Sequence, residues 1–190
     1  ALAERLRFNR ELIDDLRGPY QPTPPSLTFS DRLTMQVGDL EIRLLYFGRA
    51  HTQSDILVHI PALGVLFTGD LFHDKVLGIA AGASHLDIDR WLDTLGLVLD
   101  GDPPLGTVLG GHGLVFTRLW IRAQRRYIEK VWLAVTDAEA AGQTLDELID
   151  QLPFDHRFAF IADRFDPSVT DLAEQHQRVL RQMWEAGVPR

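Results

Sequence analysis

Val65-Leu66-Phe67-Thr68-Gly69-Asp70 reads as an apolar strand that stops at a glycine and hands the chain over to a carboxylate. Two further stretches follow the same plan with an imidazole at the end: Gly48-Arg49-Ala50-His51-Thr52 upstream and Val108-Leu109-Gly110-Gly111-His112-Gly113 downstream. Neutral imidazole and carboxylate are donors that zinc accepts, and a carboxylate can also bridge two ions. Three such donors at strand ends point to a metal centre. Gly48, Gly69, Gly110, Gly111 and Gly113 let the backbone turn sharply or approach an ion where a side chain would clash. Taken singly, a histidine beside a glycine turn is an ordinary hydrogen-bonded loop residue. Asp70 alone would serve equally as a cap for the segment that follows. The order and shared context of the three favour the metal reading.

Outward from these stretches the pattern is strands first and helices after. Leu33, Met35 and Val37 alternate with polar residues before Gly38-Asp39, and Leu40, Ile42 and Leu44 alternate after it, which predicts a β-hairpin. Ile56 to Ile60 and Val65 to Thr68 flank Pro61-Ala62-Leu63-Gly64 and predict a second antiparallel pair. Ile88, Trp91, Leu92, Leu95 and Leu99 have helical spacing behind caps at Ser84 and Asp87, with a stop before Gly101-Asp102-Pro103-Pro104. Thr107 to Leu109 then makes a short strand presenting His112. A long amphipathic helix follows Thr117 toward Gly142, and Thr144-x-x-Glu147 has capping-box spacing for a short helix ended by Pro153. A last helix is expected from Asp166-Pro167, with Val169, Leu172, His176, Val179, Leu180 and Met183 inward. Before the hairpin, Leu2 to Arg17 has helical character, and Pro19, Pro22, Pro24 and Pro25 make an extended connector.

Composition narrows the function classes. The chain has 190 residues, 45% of them hydrophobic, enough for one core. Its formal net charge of -8 opposes nucleic acid or an anionic membrane as partner. No apolar run reaches the ~20 residues of a membrane span, and no signal-peptide pattern opens the sequence. With no cysteine, disulfides, thiolate ligands and cysteine nucleophiles are excluded, and any zinc must use nitrogen and oxygen. The compartment stays open, with the cytoplasm slightly favoured. No Gly-x-Ser-x-Gly stretch offers a serine nucleophile.

The succession of His51-Thr52 after a strand and Gly48, an apolar strand ending in Gly69-Asp70, and a strand running into Gly111-His112-Gly113 resembles the metallo-β-lactamase superfamily. The likeness runs from about Leu33 to Gly113, and the downstream helices are similar to that family's less specific tail. It implies an α+β fold, the C-terminal part of an αββα sandwich, in a single domain over 1–190. It also implies zinc, two ions per complete site. His51 would then ligate the first ion, Asp70 would bridge both and position the attacking hydroxide as the catalytic carboxylate, and His112 would ligate the second.

The family's upstream His-x-His-x-Asp-His motif is absent. The seven histidines are His51, His59, His73, His85, His112, His156 and His176, so none precedes His51 and no two are separated by one residue. The expectation is therefore the truncated, C-terminal portion of a longer zinc-dependent hydrolase of small molecules, inactive as this chain alone. The surroundings of Gly48 to Asp70 and the tail with Tyr127 are similar to thioesterase-like members, with glyoxalase II a relative, and favour an ester or thioester substrate. The competing expectation is a non-catalytic half-domain whose uncovered sheet face associates with a second copy, as a homodimer, or with the missing N-terminal segment.

Other residues carry smaller expectations. His176 lies on the apolar stripe of the last helix and reads as a core histidine, and His59 as structural. His85 and His156 have no partner at ligand spacing. His73, three residues after Asp70, would lie near the same rim, and Lys75 could meet an anionic substrate group. Asp55 would hold the His51 loop by a hydrogen bond.

Overall fold

The computed structural model describes residues 10, 13, 23–72, 86–101, 106–111, 115–158 and 171–187. Six strands form one sheet in chain order: β1 (Arg32–Val37), β2 (Leu40–Leu45), β3 (Leu57–Ile60), β4 (Val65–Phe67), β5 (Thr107–Leu109) and β6 (Val115–Phe116). Neighbours run antiparallel except β4 and β5, which are parallel. A parallel pair needs a crossover, and α1 (Ile88–Asp100) lies within it. The other helices among the described residues are α2 (Arg118–Ala140), α3 (Leu145–Gln151) and α4 (Leu172–Ala186).

The local signals for these elements act as the sequence predicts. Asp87 is extended and its carboxylate accepts from the Arg90 N–H at 3.1 Å, capping α1, which Gly101 closes in a left-handed conformation. At α3, Thr144 Oγ1 accepts from the Glu147 N–H while Glu147 Oε2 accepts from the Thr144 N–H, a reciprocal pair that satisfies two otherwise orphaned donors. The hairpin pairs Val37 with Leu40 across Gly38-Asp39, and β3 pairs with β4 across a short 3-10 turn at Pro61–Leu63.

One helix start differs from expectation. α4 begins at Leu172 and not at Asp166-Pro167, because Asp171 is extended and its carboxylate accepts from the N–H groups of Ala173 and Glu174. That cap defines the first turn; Asp166, Pro167 and Val169 lie outside the described residues. The expected helix over 2–17 also lies outside them apart from Arg10 and Ile13, which are helical, as do the Ser84 cap and residues 102–105. The two-residue strand β6 was not expected; it pairs Val115 with Leu109 and so folds the chain back immediately after the His112 loop.

Side chains alternate across a sheet, so the register sorts them into two faces. One face carries Leu57, His59, Leu66, Val108 and Phe116, all buried. The apolar members join Trp91, Leu95 and Val98 of α1 and Ile121, Ile128 and Val131 of α2 in one core. The opposite face carries Leu33, Met35 and Val37 of β1, Ile42 and Leu44 of β2, Val58 of β3, Phe67 of β4, Leu109 of β5 and Val115 of β6. None of these is buried. On β1 the polar Thr34 and Gln36 alternate with them onto the helix side, so β1 turns its apolar residues away from the helices.

Candidate metal-binding edge

Because β3 runs antiparallel to β4 and β5 runs parallel to it, the loop entering β3 and the loops leaving β4 and β5 emerge at the same edge of the sheet. His51 lies in the first of these loops and Asp70 in the second. His112 belongs to the third, immediately after Gly111, and lies outside the described residues. His73, Lys75 and His85 lie outside them as well.

The loop after β4 is shaped by glycine. Gly69 has φ of 52°, in the left-handed region that favours glycine, and opens the 3-10 turn Gly69–Leu71 that carries Asp70. The ladder between β4 and β5 continues into this turn: the Thr68 N–H donates to Leu109 O at 2.9 Å and the Gly111 N–H donates to Gly69 O at 2.7 Å. A Cβ on Gly111 would overlap Asp70 Oδ1, so the backbone beside His112 runs against the Asp70 carboxylate in a space only glycine leaves. Asp70 itself is half-buried.

The His51 loop is held from several sides. Asp55 Oδ2 accepts from the Thr52 N–H at 2.6 Å, Tyr46 donates its hydroxyl to Gln53 O at 3.0 Å, and Ala50 O accepts from the N–H of Asp87, the residue that caps α1. Asp55 thus holds the loop as expected. Its other oxygen stands 4.0 Å from His51 Nδ1, an electrostatic neighbour beyond hydrogen-bond range. The His51 ring is 3% exposed and meets Trp91 edge-on, with centroids 5.3 Å apart.

Trp91 joins the two loops. Its indole N–H donates to Leu71 O at 3.0 Å, one residue beyond Asp70, and Gln124 Nε2 of α2 donates to the same carbonyl at 3.1 Å. Two helices therefore anchor the turn after Asp70 through one buried acceptor, and the same indole supports His51. The sequence carried a faint signal of this arrangement, since Gln124 is a buried amide on the apolar stripe of α2. A buried amide needs a polar partner, but the partner is not legible from spacing.

Away from the edge, His176 is the core histidine expected. Its Nε2 lies 2.9 Å from Leu152 O, an acceptor only, so that nitrogen carries the proton and Nδ1 accepts from the Tyr127 hydroxyl at 2.8 Å. Burial lowers the His176 pKa from its ordinary value and raises that of Tyr127 far above the usual phenol range. His59 is buried in β3, in keeping with a structural role.

His51 and Asp70 bring an imidazole and a carboxylate, donor types that zinc accepts, onto neighbouring loops. Among the described residues, no three His, Cys, Asp or Glu side chains gather closely enough to hold an ion by themselves. Among the described residues, no helix is long and apolar enough to cross a membrane.

No protein-family model matches the chain. It is 29% identical over 105 residues to a type 2 metallo-beta-lactamase of Bacteroides fragilis, an alignment covering 55% of this chain and 42% of that protein. The chain thus spans less than half the length of this curated relative. The fold is similar to that of the stereoselective inverting sec-alkylsulfatase Pisa1 from Pseudomonas sp., with TM-score 0.66 and 16% identity over 86% of this chain and 26% of that one. A double mutant of the same sulfatase gives TM-score 0.65 at 16% identity, covering 85% of this chain and 27% of the other.

Proposed function

We propose, from this chain's place in the metallo-β-lactamase superfamily, that it carries part of the active site of a metal-dependent hydrolase acting on a small ester or thioester. The observation that carries the reading is the meeting of the His51 and Asp70 loops at one sheet edge, with Trp91 touching both. His51, Asp70 and His112 would hold zinc. When bound, zinc lowers the pKa of water toward neutrality and polarises the bond to be cleaved.

The chain's own residues account for the positioning. Asp55, Tyr46 and the Asp87 N–H hold the His51 loop, while Trp91 and Gln124 hold the turn that carries Asp70. Asp70 is the catalytic carboxylate in this reading and would orient the attacking water. Without a His-x-His-x-Asp-His stretch this chain has three of the donors that a two-metal site requires, so its turnover as the isolated polypeptide is expected to be negligible.

The open sheet face favours a second reading. Met35, Val37, Phe67 and Val115 are each more than two-fifths exposed on a face with no buried member. A contiguous apolar sheet face of this kind marks an association surface. In this reading the chain is a non-catalytic half-domain that pairs with itself or with a separate N-terminal segment. Native mass spectrometry beside metal analysis and a thioester assay separates the two. A species near 21.5 kDa that takes up zinc weakly and turns over nothing supports an incomplete site, whereas a stable metal-free dimer supports the half-domain. Two tightly held zinc ions with turnover in the isolated chain would contradict both.

A further inference from the structure

α2 begins with charges in unfavourable places. Arg118, Arg122, Arg125 and Arg126 fill its first half, and its first turn has no acidic residue, although the positive end of a helix dipole favours anions there. Arg122, Arg126 and Lys130 also follow one another at four-residue spacing, which sets like charges side by side along one ridge. Arg125 is structurally engaged, donating to Leu92 O at 3.3 Å and pairing with Glu129 at 3.7 Å. Arg122 and Arg126 are exposed and have no ion pair among the described residues.

The ridge borders a cleft. A cavity of about 400 Å³ opens between α2 and the segment around Asp155 to Phe158, with Leu119 and the Phe158 ring as apolar wall. Four cations line it against one carboxylate, Asp155. That carboxylate is already engaged twice, by Lys130 Nζ at 2.9 Å and by a fork from Arg157 whose shortest bond is 2.7 Å. The volume suits a small molecule, and the mixed lining suits an anionic head on a short apolar body. In a chain of net charge -8, so local a positive excess is set against the overall field.

We propose that this cleft is a binding site for a small organic anion, a phosphate, sulfate or carboxylate with an apolar body, gripped by Arg122 and Arg126 while the body lies on Leu119 and Phe158. Guanidinium groups suit the task because their planar forks meet oxyanions bidentately. The site requires no metal, so it stands or falls independently of the hydrolase reading.

The test is a titration of the metal-free full chain with phenyl phosphate at low salt, followed by calorimetry and by amide NMR shifts. Saturable one-site binding is expected, tighter than for inorganic phosphate, with shifts along Leu119 to Lys130 and at Phe158. The double variant R122Q/R126Q replaces two exposed side chains and should keep its helical circular dichroism while losing about tenfold or more in affinity. Unchanged affinity in that variant, or shifts confined to the open sheet face, would overturn the proposal. An oligo-aspartate peptide that binds more tightly than phenyl phosphate would overturn the small-molecule assignment.

Discussion

Leu66 and Phe67 are neighbours in β4 with opposite fates: Leu66 is 0% exposed among the helices, and Phe67 is 41% exposed on the other side of the same sheet. The Phe67 face is the more apolar of the two in sequence, so hydrophobicity alone does not tell which is packed. Coverage does. α1 and α2 pack on the Leu66 face, where they bury Trp91, Leu95, Ile121 and Ile128 and reach through to Leu71 O with Trp91 and Gln124. The Phe67 face has the same alternation and no layer over it among the described residues. The packed face therefore steadies the candidate site, while the open face leaves Met35, Val37, Phe67 and Val115 exposed.

The largest effect should come from breaking this contrast directly. Leu66→Ala should cost about 2–5 kcal/mol in urea unfolding, the range for deleting a fully buried leucine. Phe67→Ala in the isolated chain should cost less than about 1 kcal/mol, because its ring loses little contact. If Phe67→Ala proved as costly as Leu66→Ala, the open face would be covered in solution. Gln124→Met sharpens the comparison on the packed side. It preserves much of the side-chain volume but removes the amide donor to Leu71 O, so a loss of about 1 kcal/mol is expected together with weaker zinc uptake. Unaltered zinc uptake in that variant would remove Gln124 from the support of Asp70.

A smaller effect distinguishes the helical layer by pH. Burial lowers the His176 pKa from 6.5, with Lys130 adding to the depression and the Leu152 hydrogen bond opposing it. The folded state therefore binds fewer protons than the unfolded chain just below that pH. Stability from the neutral imidazole is complete above about 6.5 and declines as the pH falls through and below that value. Thermal melts between neutral and mildly acidic pH should show a steeper acid decline for the parent than for His176→Gln. Parallel curves would mean that His176 titrates alike in both states.

Much of this was legible from sequence where the signal is local. Gly38-Asp39 marks the hairpin, Asp87 and Gly101 bound α1, Thr144 with Glu147 starts α3, and Gly69-Asp70 marks the turn at the candidate site. Asp171 caps α4 although the sequence pattern places the helix start at Asp166-Pro167, which lies outside the described residues. Long-range partners are harder still. Nothing in the spacing of Trp91 and Gln124 reveals that both donate to Leu71 O, because that meeting depends on how two helices cross one turn. The cationic cleft was missed for the same reason: Arg122 and Arg126 are visible as charges, but Asp155 and Phe158 reach them only through the fold.

The central claim is that the imidazoles at positions 51 and 112 and the carboxylate at position 70 converge on one metal centre. Zinc titration of histidine-labelled protein, read by nitrogen NMR of the imidazole rings, tests it most directly. The account predicts that His51 and His112 shift together, at one metal concentration, and that Asp70→Asn abolishes both shifts. Independent titration of the two rings, or a His112 ring that zinc leaves unmoved, would contradict it.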